Sequence, residues 1–140
     1  MPNNTNLAVS LEAWGWDERW AAECHTLAGG GRWPGRVVAQ HRGAWDVIGE
    51  KGEAVASATG RLRHEASDDE LPAVGDWVAC TDQIHGGRAP IVAVMSRRSV
   101  VRRQMAGSRG GSQIVASNVD VLFVATSLNG DLNPRRLERY

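Results

Sequence analysis

Glycine divides residues 33–95 into short pieces, and that division most constrains the fold. Gly43, Gly49, Gly52, Gly75 and the pair Gly86-Gly87 separate stretches whose apolar residues recur with a period of two. Such stretches read as strands joined by turns. The spacing predicts strands over residues 36–42, 44–48, 53–63, 76–81 and 89–95. Gly49-Glu50-Lys51-Gly52 forms a turn, residues 64–73 form an acidic loop around Asp68-Asp69-Glu70, and Pro90 falls at a strand start, where its missing N–H costs least. Five short strands must hide their edges, and closing on themselves into a small barrel removes the edges altogether.

The fold class is therefore mainly β. The strand order suits a five-stranded OB-fold barrel, and a small SH3-like barrel is the alternative that strand count leaves open. Residues 1–31 read as a helical leader: Asp17 caps a helix whose Trp16, Trp20, Cys24 and Leu27 share one face, and Gly29-Gly30-Gly31 ends it. A shorter turn precedes it, with Ser10 as cap, Leu11 and Trp14 apolar and Gly15 as the break.

The barrel occupies 32–95, and the period changes again after a basic linker at 96–117. Residues 118–126 form a nearly unbroken apolar run, of the kind found in parallel strands covered on both faces. Asn133-Pro134 then offers a helix cap with proline in the first turn. Residues 118–140 thus resemble the first strand and helix start of an α/β domain. With no parallel neighbour, 119–125 is expected to be disordered, folded back on the barrel, or paired with another copy.

Charge is balanced in sum and uneven in place. Residues 1–90 hold 13 Asp and Glu against 8 Lys and Arg, whereas residues 91–140 hold 3 against 8. The stretch 95–111 carries five arginines and no acid. A cationic segment on an acidic body points to a polyanionic partner, because each arginine that displaces a phosphate counterion adds affinity. Of the 16 basic residues all but Lys51 are arginine, whose planar fork suits phosphate. No apolar run is long enough to span a bilayer, and the first residues lack the basic and apolar regions of a signal peptide. Two distant cysteines, Cys24 and Cys80, form no disulfide framework, so a cytoplasmic setting is expected.

Candidate RNA-binding residues follow from where nucleic acid lies on such barrels, across one sheet face and its framing loops. Arg36, His41 and Arg42 fall on the first strand and its turn. Arg61 and Arg63, two apart on the third strand, are expected to share a face. Arg97, Arg98, Arg102 and Arg103 lie in the linker. Trp33, Trp45 and Trp77 are assigned to packing rather than to base stacking, so shape and backbone recognition of folded RNA is expected. An interaction or positioning barrel with no RNA contact of its own is the alternative reading.

Several ordered motifs match one family: Pro34-Gly35-Arg36-Val37-Val38, the run from Leu71 through Gly75-Asp76-Trp77-Val78, Arg97-Arg98-Ser99 with Arg102 and Gly107, then Gln113, Asn118-Val119-Asp120, and Asp131-Leu132-Asn133 with Arg136-Leu137-Glu138. In these the chain resembles the ribosome small-subunit-dependent GTPase A family. The resemblance implies an OB-fold followed by a circularly permuted P-loop GTPase domain and a zinc-binding domain. It further implies a protein, monomeric at full length, that assists late small-subunit maturation. It would dock on 16S rRNA near the decoding region, with the turn at His41-Arg42-Gly43 approaching the RNA.

GTP, Mg and structural Zn are what that resemblance implies for the whole family, and these 140 residues hold none of the motifs for them. A P-loop needs a lysine after its second glycine, and guanine recognition needs Asn-Lys-x-Asp; Lys51 sits in neither context. The Gly107-to-Ser112 stretch lacks a lysine and reads as flexible linker. Cys24-His25 and Cys80 with His85 fall short of four spaced zinc ligands. No catalytic residue and no membrane contact is therefore assigned, and the chain alone should not hydrolyse GTP.

Overall fold

A computed structural model describes residues 10–27, 31–82, 86–104, 111–125, 127 and 133–138. Five strands close into a barrel: β1 (Arg32–His41), β2 (Ala44–Gly49), β3 (Gly52–Ala58), β4 (Trp77–Thr81) and β5 (Ala89–Val94), in the order β1-β2-β3-β5-β4. β4 returns antiparallel to β1, pairing Trp33 with Cys80, and β3 runs parallel to β5, pairing Ala56 with Ala89. Closure through that parallel pair is the OB-fold arrangement, which settles the choice between the two barrels.

The barrel core gathers Val37, Trp45, Val47, Ala56, Val78, Cys80 and Ile91. A second cluster lies on the outside of the same wall. There Leu11, Trp20 and Cys24 of the leader meet Trp77, Ala79 and Met95. β4 serves both: its even-numbered Val78 and Cys80 point into the barrel, and its odd-numbered Trp77 and Ala79 meet the leader. That double duty explains why four successive residues of β4 are buried. Within the described part of the leader the expected helix forms, but the Ser10 hydroxyl donates to Glu12 instead of capping the turn before it, and residues 1–9 and Gly29-Gly30 lie outside the described residues. A 3₁₀ turn at Leu11–Trp14 ends on Gly15, and α1 (Glu18–Leu27) starts where Asp17 Oδ1 accepts from the Arg19 and Trp20 amides, at 3.1 and 3.3 Å.

Three expectations need correction. The third strand stops at Ala58, not residue 63, because the Thr59 hydroxyl accepts the Leu62 amide at 3.3 Å and caps a short helix, α2 (Gly60–Glu65). Arg61 and Arg63 therefore sit on a helix, where residues two apart do not face the same way. Next, the basic linker carries a hairpin of β6 (Val100–Gln104) and β7 (Ser112–Ser117), antiparallel and separate from the barrel. Most of the glycine-rich stretch joining these strands lies outside the described residues.

Finally, the apolar run forms no strand over 119–125. Val121 to Val124 are exposed, Phe123 at 89%. A strand of this type needs neighbours on both edges to satisfy its backbone, and the described residues offer none. α3 (Pro134–Leu137) does begin behind Asn133 with the proline in its first turn.

Candidate nucleic-acid interface

The nine candidate residues divide sharply by what their side chains already touch. Arg97 is the most committed. Its Nε donates to Asp76 Oδ1 at 2.8 Å and its Nη2 to Asp76 Oδ2 at 2.7 Å, a fork on a carboxylate that is completely buried. The same guanidinium donates to the carbonyls of Asp69 and Leu71. Hydrogen bonding to Asp76 raises the Arg97 pKa above its ordinary value against the opposing effect of burial, so its charge is fixed.

Asp76 is a hub because it also accepts from the Ala73 amide, at 2.8 Å, and from the Ser117 hydroxyl. β7 is thereby tied to the barrel, and Gly75 shows how closely. Its φ is +94°, and a Cβ there would lie 2.0 Å from the Ser117 carbonyl oxygen. No residue with a side chain fits.

Asn118 extends the junction. It holds a left-handed φ of 52°, a conformation asparagine tolerates. Its side chain accepts from the Arg98 amide at 2.8 Å and donates to the Gly75 carbonyl at 3.0 Å. Arg36 completes the set, donating to the carbonyls of Trp14 (2.7 Å) and Asn118 (3.3 Å) with its guanidinium carbon 5.3 Å from the Trp77 ring centre. Burial draws the Arg36 pKa below its ordinary value, an effect that Asp120 and Asp76 oppose.

Arg98 and Arg102 are partly exposed yet engaged. Arg98 pairs with Asp17 and lies 4.1 Å above the Trp20 ring centre, clasping the leader, while Arg102 pairs with Asp69. Arg103 is exposed and makes no side-chain bond to a described residue.

A different arrangement occupies one end of the barrel. The turn between β1 and β2 presents Arg42, which is exposed and has no acidic partner among the described residues. Arg63 of α2 reaches the same turn and donates to the Gly43 carbonyl at 3.1 Å. His41 pairs with Asp46 at 2.7 Å, its side chain 57% exposed. Arg61 makes a one-turn pair with Glu65 and is 84% exposed, so the pair leaves its charge accessible. Arg42 and Arg63 are distant in sequence, and the α2 cap brings them together.

Trp20, Trp45 and Trp77 are buried and serve packing. Trp45 Nε1 donates to the Pro72 carbonyl at 2.8 Å. Trp20 Nε1 donates to the Ser96 carbonyl at 3.0 Å. Trp77 Nε1 has no acceptor among the described residues and instead lies among rings, with Trp16 edge-on at 4.7 Å. Cys24 and Cys80 are buried free thiols, and among the described residues no three His, Cys, Asp or Glu side chains gather to hold a metal ion. The described residues thus do not fit the zinc that the family resemblance implies. No helix among them is long and apolar enough to cross a membrane.

Asp76 and Asn118 organise the junction without being among the sequence-derived candidates. A signal for Asp76 is present in the sequence: an acid wedged between Gly75 and Trp77 at the head of a fully buried strand has no solvent to face and must find a cation.

No family model matches the chain. Individual proteins do, along almost all of it. It is 38% identical over 141 residues to the small ribosomal subunit biogenesis GTPase RsgA of Opitutus terrae, a match that covers 94% of this chain and 38% of that protein. It is 34% identical over 139 residues to RsgA of Syntrophotalea carbinolica, with the same coverage. RsgA 2 of Lactiplantibacillus plantarum is 45% identical over 107 residues, 76% of this chain and 30% of the relative. The chain spans well under half the length of these relatives. With an OB-fold barrel, a leader and the ordered motifs all in place, it corresponds to the N-terminal portion of a protein of the RsgA family.

Proposed function

We propose that this chain is the rRNA-binding portion of a ribosome biogenesis GTPase, seating the protein on 16S rRNA of the small ribosomal subunit near the decoding region. The observation that carries the reading is the exposed cationic end of the barrel. Arg42 and Arg63 meet there at one turn, with His41 and Arg61 beside them. Guanidiniums held on a rigid turn and a capped helix contact a phosphate backbone without the entropy loss of a flexible arm. The relatives' name supports the ribosomal setting.

GTP binding and hydrolysis, with their Mg, and the structural zinc belong in this proposal to the part of the relatives' length that this chain does not span. The chain's own residues contribute docking and no bond-breaking step.

A positioning role is favoured for the linker alone. Arg97, Arg98 and Arg102, with Arg36, are spent on contacts inside the molecule, which suits a segment that fixes the path of the chain leaving the barrel. Competition tests the docking proposal. Purified small-subunit rRNA should displace the chain from small subunits, and Arg42→Ala with Arg63→Ala should abolish that displaceable fraction. Binding that persists in the double variant and resists rRNA would assign the contact to protein surfaces instead.

A further inference from the structure

The end of the barrel opposite α2 is a cavity of about 440 Å³, and it differs from the cationic end in every respect. It opens where β1, β3 and β5 begin and β2 and β4 end. Trp33 forms one wall. Its ring packs on the barrel core and lies so close to Gly49 that a Cβ there would stand 2.8 Å from it. Pro34, Ala54, Val55 and Ala89 extend the apolar lining.

Glu50, Glu53 and Asp82 stand around the opening, all exposed, against the ammonium of Lys51 and the exposed Arg88 that flanks the lining residues Gly87 and Ala89. Neither the three acids nor Lys51 is in an ion pair with a described residue.

We infer that this mouth binds an arginine side chain of a basic polypeptide segment of a partner protein. An indole wall accepts the methylene stem and the flat face of a guanidinium, and unpaired carboxylates at the rim accept its N–H groups. The volume falls within the range of small-ligand pockets and suits one such side chain with its flanking backbone. Net negative charge at the rim repels nucleic acid, so the two ends of the barrel select opposite partners. A neutral apolar group would leave the carboxylates unused, and an anion would meet three of them.

The test uses the whole chain, labelled with nitrogen-15, and a short capped peptide of alternating glycine and arginine. Amide and indole signals of Trp33, residues 49–55 and Thr81 should move together as peptide is added. Affinity should fall about two- to fivefold for each carboxylate neutralised in Glu50→Gln and Glu53→Gln, which are exposed and leave the fold intact. The citrulline version of the peptide, uncharged and of equal shape, should bind more weakly. Arg42→Ala with Arg63→Ala should change nothing here, which separates this proposal from RNA docking.

Equal binding of the citrulline peptide would overturn the inference. So would signal changes away from the mouth, or displacement of the peptide by an RNA oligonucleotide.

Discussion

The arginines of the linker and those at the α2 end of the barrel carry the same charge and differ in what they already touch. Arg97 is half-buried, forked on the fully buried Asp76 and bonded to two backbone carbonyls, so binding phosphate would require breaking a fork on a carboxylate with no access to water. Arg42 stands exposed on the β1–β2 turn and Arg63 on α2 beside it, and the one internal bond of Arg63 holds that turn's carbonyl rather than an acid. Charge density, highest in the linker, therefore does not by itself mark the arginines whose side chains are free to meet a partner. What distinguishes the two groups is which arginines meet acids. Asp76, Asp17 and Asp69 take up Arg97, Arg98 and Arg102 and leave Arg103 exposed. At the α2 end Asp46 and Glu65 take up His41 and Arg61 and leave Arg42 and Arg63 without an acidic partner among the described residues.

The largest way to break the comparison is Arg97→Ala. Removing one partner of a buried pair strands the Asp76 carboxylate, and stability in urea unfolding should drop by about 3–5 kcal/mol. Arg97→Lys should recover little, since an ammonium cannot form the fork. A variant of unchanged stability would return Arg97 to the pool of surface cations.

Barrel integrity can be followed separately through Cys80, whose burial pushes its pKa from 9.0 up to about 12. Between those values the unfolded thiol has lost its proton and the folded one has kept it. The thiol's contribution to stability should therefore be fully present below pH 9 and be lost as pH rises from there toward 12. Cys80→Ala should remove that component of the pH dependence, and a variant that kept the full loss would place its origin elsewhere. Smallest is Arg98→Ala. Its half-exposed ion pair and its stacking on Trp20 should together contribute about 1 kcal/mol, measured as a shift in thermal unfolding.

Much of this architecture is legible in the sequence because it rests on local rules. Glycine turns and two-residue periodicity mark the five strands, and Asp17 and Asn133 mark helix starts that the structure contains. The misses share a cause. Thr59 reads as a β-branched strand residue, yet its hydroxyl is available to cap a helix; the competition between those roles is decided by Leu62 packing on the barrel, a contact distant in sequence.

The sequence hints that Asp76 needs a cation but does not say which one, because Arg97 lies 21 positions away and meets it only through the burial of Asp76. The apolar run after Asn118 has the composition of a buried strand and forms none. A strand is a property of pairs of segments, and its apolar pattern cannot supply the second one.

The central claim is that the α2 end, and not the linker, meets the polyanion. It is tested most directly by the salt dependence of small-subunit binding for two double variants compared side by side. For Arg42→Ala with Arg63→Ala, the slope of log affinity against log salt should shrink by about 0.7–0.9 for each phosphate no longer neutralised. For Arg98→Ala with Arg102→Ala, assayed where both variants remain folded, the slope should match the parent chain. A reduced slope in the linker variant, with an unchanged one at the α2 end, would contradict the account.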